Sequence, residues 1–357
     1  MKAIKSLSGL SFVAIMSMVI ASIFSFNPLA TFGVMFTLAL VAPMPKGVAA
    51  MAITKEIWTK DIVNNLFKDN QFALNAFNAD IYVLLGKVVH IAVAGAGATI
   101  KKNLNIFPQA AVKRADTEIT YALDTFYSLP RHIEKIEQYE LEYDKRQSVL
   151  GEDQASLVQS AMDNLLYKWA APAANTIATE GAAVPATLTG ATGNRKAFTK
   201  AAFQKIKLKM DKANIPQVGR VALLTADHFN QFFESLSDAE KTNVGRVADL
   251  AKGVVGEYLG FKIMQRSSVL RYRGATIGVN TVAVDEQDEA FAANVADRAA
   301  SLFWEANSVE RAKGSIEIFD NPNQAGYYGD VFSMNMRLGG RIRRAEGVYA
   351  VVEEASA

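Results

Sequence analysis

The sequence predicts a mixed α+β protein, and three features carry that expectation. One long amphipathic helix lies near the middle of the chain, at 148–171. Helix-like and strand-like segments then alternate over 196–284, and strand-like segments dominate 285–357. An architecture of one long helix, an α/β alternation and a return to strands follows from that order.

Composition narrows the function classes. The 357 residues are 50% hydrophobic and 21% charged, which is the balance of a globular chain with a real core. Net charge is +2, and removing the three lysines of the first fifty residues from 38 leaves 35 basic against 36 acidic residues. A balance of −1 from Met51 onward does not point to tight nucleic-acid binding. The chain contains no cysteine, which excludes disulfides, zinc–thiolate sites and cysteine nucleophiles. Any metal site or Ser-His-Asp arrangement would have to draw on His90, His132 and His228, which are far apart in sequence.

The first fifty residues form an apolar leader whose only charges are Lys2, Lys5 and Lys46. Asn27-Pro28 splits it into Ser6–Phe26 and Leu29–Ala42. The first run reaches the roughly 20 residues that a spanning helix needs, and the second is short. Three readings fit. A signal peptide suits the lysine-bearing start, although its apolar region is usually about 7–15 residues. A helical hairpin anchor suits the split at Pro28. The third is a segment absent from the mature protein, through cleavage near Gly47-Val48-Ala49-Ala50 or synthesis from Met51. Ala49, Ala50 and Met51 therefore mark the candidate processing or start region.

Residues 51–80 mix helix and turn signals, with Trp58, Ile62, Leu66 and Phe67 at three-to-four-residue spacing. From Ile81 the chain turns β-branched and apolar, then alternates with polar and glycine interruptions. This predicts a long, partly exposed β-excursion over about Lys87 to Tyr127. Gly95 and Gly97 lack the Lys-Ser/Thr of a phosphate loop and the third glycine of a dinucleotide fingerprint, so a flexible β-turn is expected there.

The helix 148–171 is read from Leu150, Leu157/Val158, Ala161/Met162, Leu165/Leu166 and Trp169, which form one apolar stripe. Glu152 and Asp153 suit its first turn, and Pro172 ends it. Residues 172–194 are small, polar and rich in Gly, Pro and Thr, the composition of a loop. An amphipathic helix follows, with Phe198, Ala202, Ile206 and Met210 on one face. Its lysines (Lys200, Lys205, Lys207, Lys209 and Lys212) could contact phosphates, but without clustered aromatics a solvated helix face is the expected reading.

"RVALLT" is a buried strand, and Thr225 is an N-cap for "ADHFNQFFESL". "GFKIMQR" and "ATIGVN" complete the α/β segment as strands. The acids Asp285, Glu286, Asp288 and Glu289 lack the glycine and alternate-ligand pattern of an EF-hand, so they are read as a solvated turn. From Ser301 the tail reads strand, short helix, then three strands. Alternation puts Arg341 and Arg343 on one face. With Arg337 and Arg344 they are candidates for pairing with a neighbouring subunit, for facing nucleic acid, or for a local structural role.

No paired carboxylates, nucleophile elbow or metal-ligand spacing occurs, so no enzyme activity and no cofactor is expected. Several phrases instead resemble one structural family. "IPQVGRVALLTADHFNQFF" resembles a segment in which Pro and Arg precede a buried strand and a helix. "VVGEYLGFKIMQRSSVL" resembles a recurring Gly-Phe-Lys-Ile strand followed by a Ser-containing turn. "LFWEANSVERAKGSIEIF" and "GYYGDVFSMNMRLGGRIRRAEGVYAVVEE" resemble the closing strands. Together, over Met51 to Glu354, they resemble the major capsid protein of tailed phages, the Hong Kong 97-type fold. They look most like capsid proteins of phages of Bacteroidetes-type hosts.

The resemblance implies an N-terminal arm at 51–80, with an extended β-loop and peripheral-domain strands at 81–130. It implies a peripheral domain at 131–195 built on the 148–171 spine helix, an axial α/β domain at 196–284, and a return to the peripheral domain at 285–357. Lys87, Gly95, Gly97, Lys101, Lys102 and Arg114 would then belong to a loop lying over a neighbouring subunit. The implied partners are copies of the chain as pentamers and hexamers, portal and scaffolding proteins, and weakly held double-stranded DNA. The implied location is the virion, with assembly in the host cytoplasm and no membrane partner for the mature protein. The apolar leader suits a secreted or membrane-anchored surface protein instead, and an encapsulin-like shell shares the fold class.

Overall fold

The computed structural model of the protein describes residues 70–84, 87–93, 117–134, 145–249 and 252–356, with positions 100, 102, 103 and 113. All lie in the unit Thr59–Ala357. The leader, the arm up to residue 69, and Gly95, Gly97, Lys101 and Arg114 lie outside the described residues.

In chain order the strands are β1 (Phe77–Asn78), β2 (Val83–Leu84), β3 (Val88–Val93), β4 (Thr117–Ala122), β5 (Asp124–Tyr127) and β6 (Arg131–Glu134), before helix α1 (Lys145–Lys168). Then come β7 (Thr176–Ala178), β8 (Ala183–Pro185), β9 (Asn194–Lys196), α2 (Lys200–Lys212), β10 (Arg220–Thr225), α3 (Ala226–Glu234) and α4 (Asp238–Gly245). The chain closes with β11 (Val254–Tyr258), β12 (Phe261–Arg266), β13 (Leu270–Arg273), β14 (Val282–Val284) and β15 (Arg298–Glu305). After these follow β16 (Val309–Gln324), β17 (Gly329–Ile342), β18 (Val348–Val352) and β19 (Ala355–Ser356).

The larger sheet is organised by β15, every residue of which is buried. One edge of β15 pairs with β10 and β13 end to end, and the other pairs with β18. Strand β10 is also buried throughout and continues in parallel to β12. A strand covered on both faces reads as an unbroken apolar run, which is why "RVALLT" shows no alternation. Helices α2 and α3 cover one face through Phe198, Phe203, Phe232, Phe261 and Phe303, whose rings meet mostly edge to face. Thr225 accepts the His228 N–H and caps α3, as its position predicts.

The second sheet is the long antiparallel ribbon β16–β17, with β1 beside β16 and β5 and β6 sharing the free edge of β17. Helix α1, about 36 Å long at 1.5 Å per residue, lies against β17. Its predicted stripe from Leu157 to Trp169 is buried. The contact is closest at Gly340, where an added Cβ would come 2.5 Å from Leu165 Cδ1 and 2.9 Å from Trp169 Nε1.

Four predicted elements differ. Helix α1 begins at Lys145, so Glu152 and Asp153 lie beyond its first turn and gain nothing from the helix dipole there. It also ends at Lys168, not 171, because the residues just before Pro172 are turned away from helical geometry. The segment 172–194 is not a plain loop: Thr176–Ala178 extends the larger sheet by pairing in parallel with β18. That pairing is made with residues far away in sequence.

"ATIGVN" is a turn instead of a strand. Gly278 takes a positive φ, and Asn280 Oδ1 accepts the Thr276 N–H. The short helix expected after Glu305 is a tight turn in which Ser308 N–H donates to the Glu305 carbonyl. Pairing of Val309–Arg311 with Gly340–Ile342 overrides the local helical pattern.

Gly340→Ala should destabilise the subunit by about 2–3 kcal/mol, because the added methyl has no free volume. Denaturant unfolding of the purified variant measures this, and an unchanged midpoint would show that α1 sits away from β17.

Candidate functional site

Of the residues predicted to act between subunits, Lys87, Arg341 and Arg343 lie around the small sheet that includes β3 and β4. Strands β2, β3 and β4 form a small antiparallel sheet. Val89, Ile91 and Leu123 pack inward with Ala79 and Ala312. Lys87 occupies the β2–β3 turn: its N–H donates to the Leu84 carbonyl, and its own carbonyl accepts the Leu123 N–H. Its side chain is exposed, as is that of Lys102. The incoming chain is held by Asp80, whose carboxylate accepts the Lys313 N–H at 2.7 Å and faces Arg311 at 3.5 Å.

The arginines of β17 lie beside this sheet. Arg341 and Arg343 do share a face, and both point at Glu310 on β16, which is fully buried. Glu310 is the direct cross-strand neighbour of Arg341. Arg341 Nε lies 2.6 Å from its Oε1, and Arg343 Nε lies 3.3 Å from its Oε2. Arg343 also covers the Phe77 ring at 4.0 Å, and Arg341 the Tyr121 ring at 5.7 Å. Arg337 donates to Ser315 Oγ at 3.2 Å. Arg344 is exposed beside the turn Ala345–Gly347. The two central arginines thus have local partners, although each keeps a water-facing edge. Glu310 and Tyr121 escape a reading of the sequence alone, because the β16–β17 register that pairs Glu310 with Arg341 is invisible in either strand.

Two further polar groupings are structural. His228 Nδ1 lies 2.7 Å from Ser301 Oγ, and its Nε2 lies 3.4 Å from Glu353 Oε1. The trio has the residue types of a catalytic triad, but all three are enclosed, at 0–1% exposure. A hydroxyl sealed in this way meets no substrate, and the trio instead ties α3, β15 and the chain end together. At the acidic turn, Asp285 and Asp288 accept N–H groups of their own loop, and Glu286 pairs with Arg271 at 2.9 Å. The loop is anchored by buried Asp297, which binds Arg273 at 2.7 Å, Arg271 at 3.2 Å and the Asn294 N–H at 2.9 Å. Among the described residues no group of three or more His, Asp or Glu side chains converges to hold a metal. No described helix is long and apolar enough to cross a membrane.

The fold has counterparts of known structure. The capsid of Ralstonia phage GP4 superposes with a TM-score of 0.50 at 11% identity, covering 79% of this chain and 88% of that one. The capsid of cyanophage P-SCSP1u gives 0.49 at 16% identity, over 79% and 86%. A virus-like particle from Pyrococcus furiosus gives 0.48 at 8% identity, over 84% and 99%. No protein-family model matches the chain, and no curated protein matches it. The chain therefore has a mixed α+β fold of the kind found in a phage capsid, as the sequence resemblance implies.

Glu310→Ala leaves two arginines facing a buried void and should cost about 3 kcal/mol, the low end for a broken buried pair, since both guanidinium groups touch water. Chemical denaturation tests this, and a loss under 1 kcal/mol would demote the pair to surface decoration. Burial raises the Asp297 carboxyl, but Arg273, the Asn294 N–H and Arg271 outweigh it and hold the group below its ordinary value. Its contribution to stability is therefore present at neutral pH and is lost as pH falls below about 4. Asp297→Asn should lower Tm at pH 7, with the gap closing as pH drops through that window. A gap of constant size down to pH 2 contradicts this.

Proposed function

We propose that the chain is a major capsid protein that assembles into an icosahedral shell around phage double-stranded DNA. The observation that carries this reading is the superposition on the Ralstonia phage GP4 capsid across most of both chains. The nature of the candidate site agrees with it: the polar groups tie elements together, and none forms an accessible reaction centre. On this reading 51–80 is the N-terminal arm, 81–130 the extended loop with its adjoining strands, 131–195 and 285–357 the peripheral domain, and 196–284 the axial domain. Lys87, Gly95, Gly97, Lys101, Lys102 and Arg114 meet a neighbouring copy. Arg337 and Arg344 meet another subunit or the packaged DNA, together with the outer edges of Arg341 and Arg343.

Copies pair as pentamers and hexamers, with portal and scaffolding proteins as further partners, in a virion assembled in the host cytoplasm. Closed symmetry of this sort builds stability from large repeated interfaces. A phage of a Bacteroidetes-type host is proposed from the sequence phrases alone. The runner-up, a secreted or membrane-anchored surface protein, is favoured by the uncharged run from Ser6 to Pro45.

Electron microscopy and sedimentation of the full chain, and of the chain starting at Met51, separate the two. The shell reading expects capsomers or closed particles. A monomer under every assembly condition, with the full chain recovered only in detergent, would establish the anchored protein instead. N-terminal sequencing of assembled protein should find a start at or near Met51.

A further inference from the structure

The lysines of α2 and the arginines before β18 are far apart in sequence, and the fold brings them together. Lys205, Lys209 and Lys212 follow one another at four and then three residues, so they share one flank of α2. That flank faces the β7–β18 edge of the larger sheet. Lys205 pairs with Glu180, just beyond β7, and Lys209 Nζ lies 5.7 Å from the centre of the Tyr349 ring on β18. The turn Ala345–Gly347, which leads into β18, sits beside the end of the same helix. A Cβ at Gly347 would stand 3.8 Å from Ile215 Cδ1, and the Ile215 N–H donates to the Met210 carbonyl. Asn175 fixes the turn by donating to the Ala345 and Val348 carbonyls. Arg344 precedes this turn and is exposed, as are Lys209 and Lys212.

The result is a basic ledge. Glu180 matches Lys205, and Glu346, on the turn itself, places an acid near Tyr349 that offsets one further charge. No acid forms an ion pair with Lys209, Lys212 or Arg344 among the described residues. Arg341 and Arg343 differ, because Glu310 engages both. At 1.5 Å per residue the lysines step along the helix by about 6 and about 4.5 Å. A row of flexible, solvated point charges suits a partner whose own charge repeats along its length, as a phosphate backbone does. A protein partner would look for an exposed aromatic anchor. The aromatic of the ledge, Tyr349, is already buried under Lys209.

We propose that this ledge holds the phosphate backbone of double-stranded DNA through Lys209, Lys212 and Arg344. Contact is by charge alone, so it carries no sequence preference and weakens steeply with salt. The ledge stands on the chain itself. Its use, to line the inner wall of a shell, rests on the shell reading.

Fluorescence anisotropy of a labelled short DNA duplex of arbitrary sequence, titrated with the full chain between about 50 and 200 mM salt, tests the ledge. The variant carries Lys209→Gln, Lys212→Gln and Arg344→Gln together. It should bind at least about ten-fold more weakly at low salt, and its log–log salt slope should fall by about two to three. A charge-matched control, Lys207→Gln with Lys241→Gln and Lys262→Gln, removes lysines outside the ledge and should keep most of the slope. An equal fall in both variants overturns the ledge, because net charge alone would then explain it. No binding by the wild type at low salt overturns it too, as does a ledge variant with an unchanged slope. Loss of particles in the ledge variant with DNA binding intact would assign the surface to a neighbouring copy instead. Electron microscopy of the wild type separates the two ideas. Ledge-dependent binding with no particles under any assembly condition sinks the shell reading and keeps the ledge. Particles whose subunits bind DNA indifferently to the ledge do the reverse.

Discussion

The structure depends on one close approach, that of α1 to the β16–β17 ribbon at Gly340. The Trp169 indole crosses above this residue and donates to the Glu310 carbonyl at 2.8 Å. A side chain at 340 would hold the helix away and leave that buried N–H without a partner. Several elements are stacked on this contact. Phe72 packs edge-on against Trp169, and Trp304 of β15 lies 5.7 Å from it. Trp304 in turn donates to the Asn75 carbonyl at 2.7 Å, which pins the chain just before β1. The helix, both sheets and the arm therefore meet around two indoles and one missing Cβ.

Glu310 joins this mechanical centre to the β3–β4 pair. Its carbonyl accepts the Trp169 indole N–H, its Oε1 binds Arg341, and its Oε2 faces Arg343. One residue thus connects the packing of the long helix with the Arg341 side chain that covers Tyr121 of β4. Burying a carboxylate is costly without compensation. The two arginines supply it from the end of the next strand and the residue just beyond it, two positions apart.

What the sequence reveals follows from which forces are local. The stripe from Leu157 to Trp169, the apolar run of β10 and the Thr225 cap are set by neighbours within a few residues, and all three stand in the structure. Readings fail where a distant strand decides. Thr176–Ala178 looks like linker until β18 pairs with it, and Val309–Arg311 looks helical until β17 pairs with it. The "ATIGVN" segment fails differently: its β-branched residues suggest a strand, but Gly278 and Asn280 carry turn chemistry that a strand cannot use. At the candidate site the arginine face was legible from alternation, whereas its acid lay some thirty residues upstream in another strand.

The charge pattern bears on how such a subunit works. Arg341 and Arg343 share Glu310, Arg271 pairs with Asp297 and Glu286, Arg273 with Asp297, and Arg220 with Asp211. These ion pairs lock strands and loops to one another more than they advertise charge to a partner. The β3–β4 pair is anchored by apolar packing at its base. Ion pairs and apolar packing thus hold the same strands in place from within the chain.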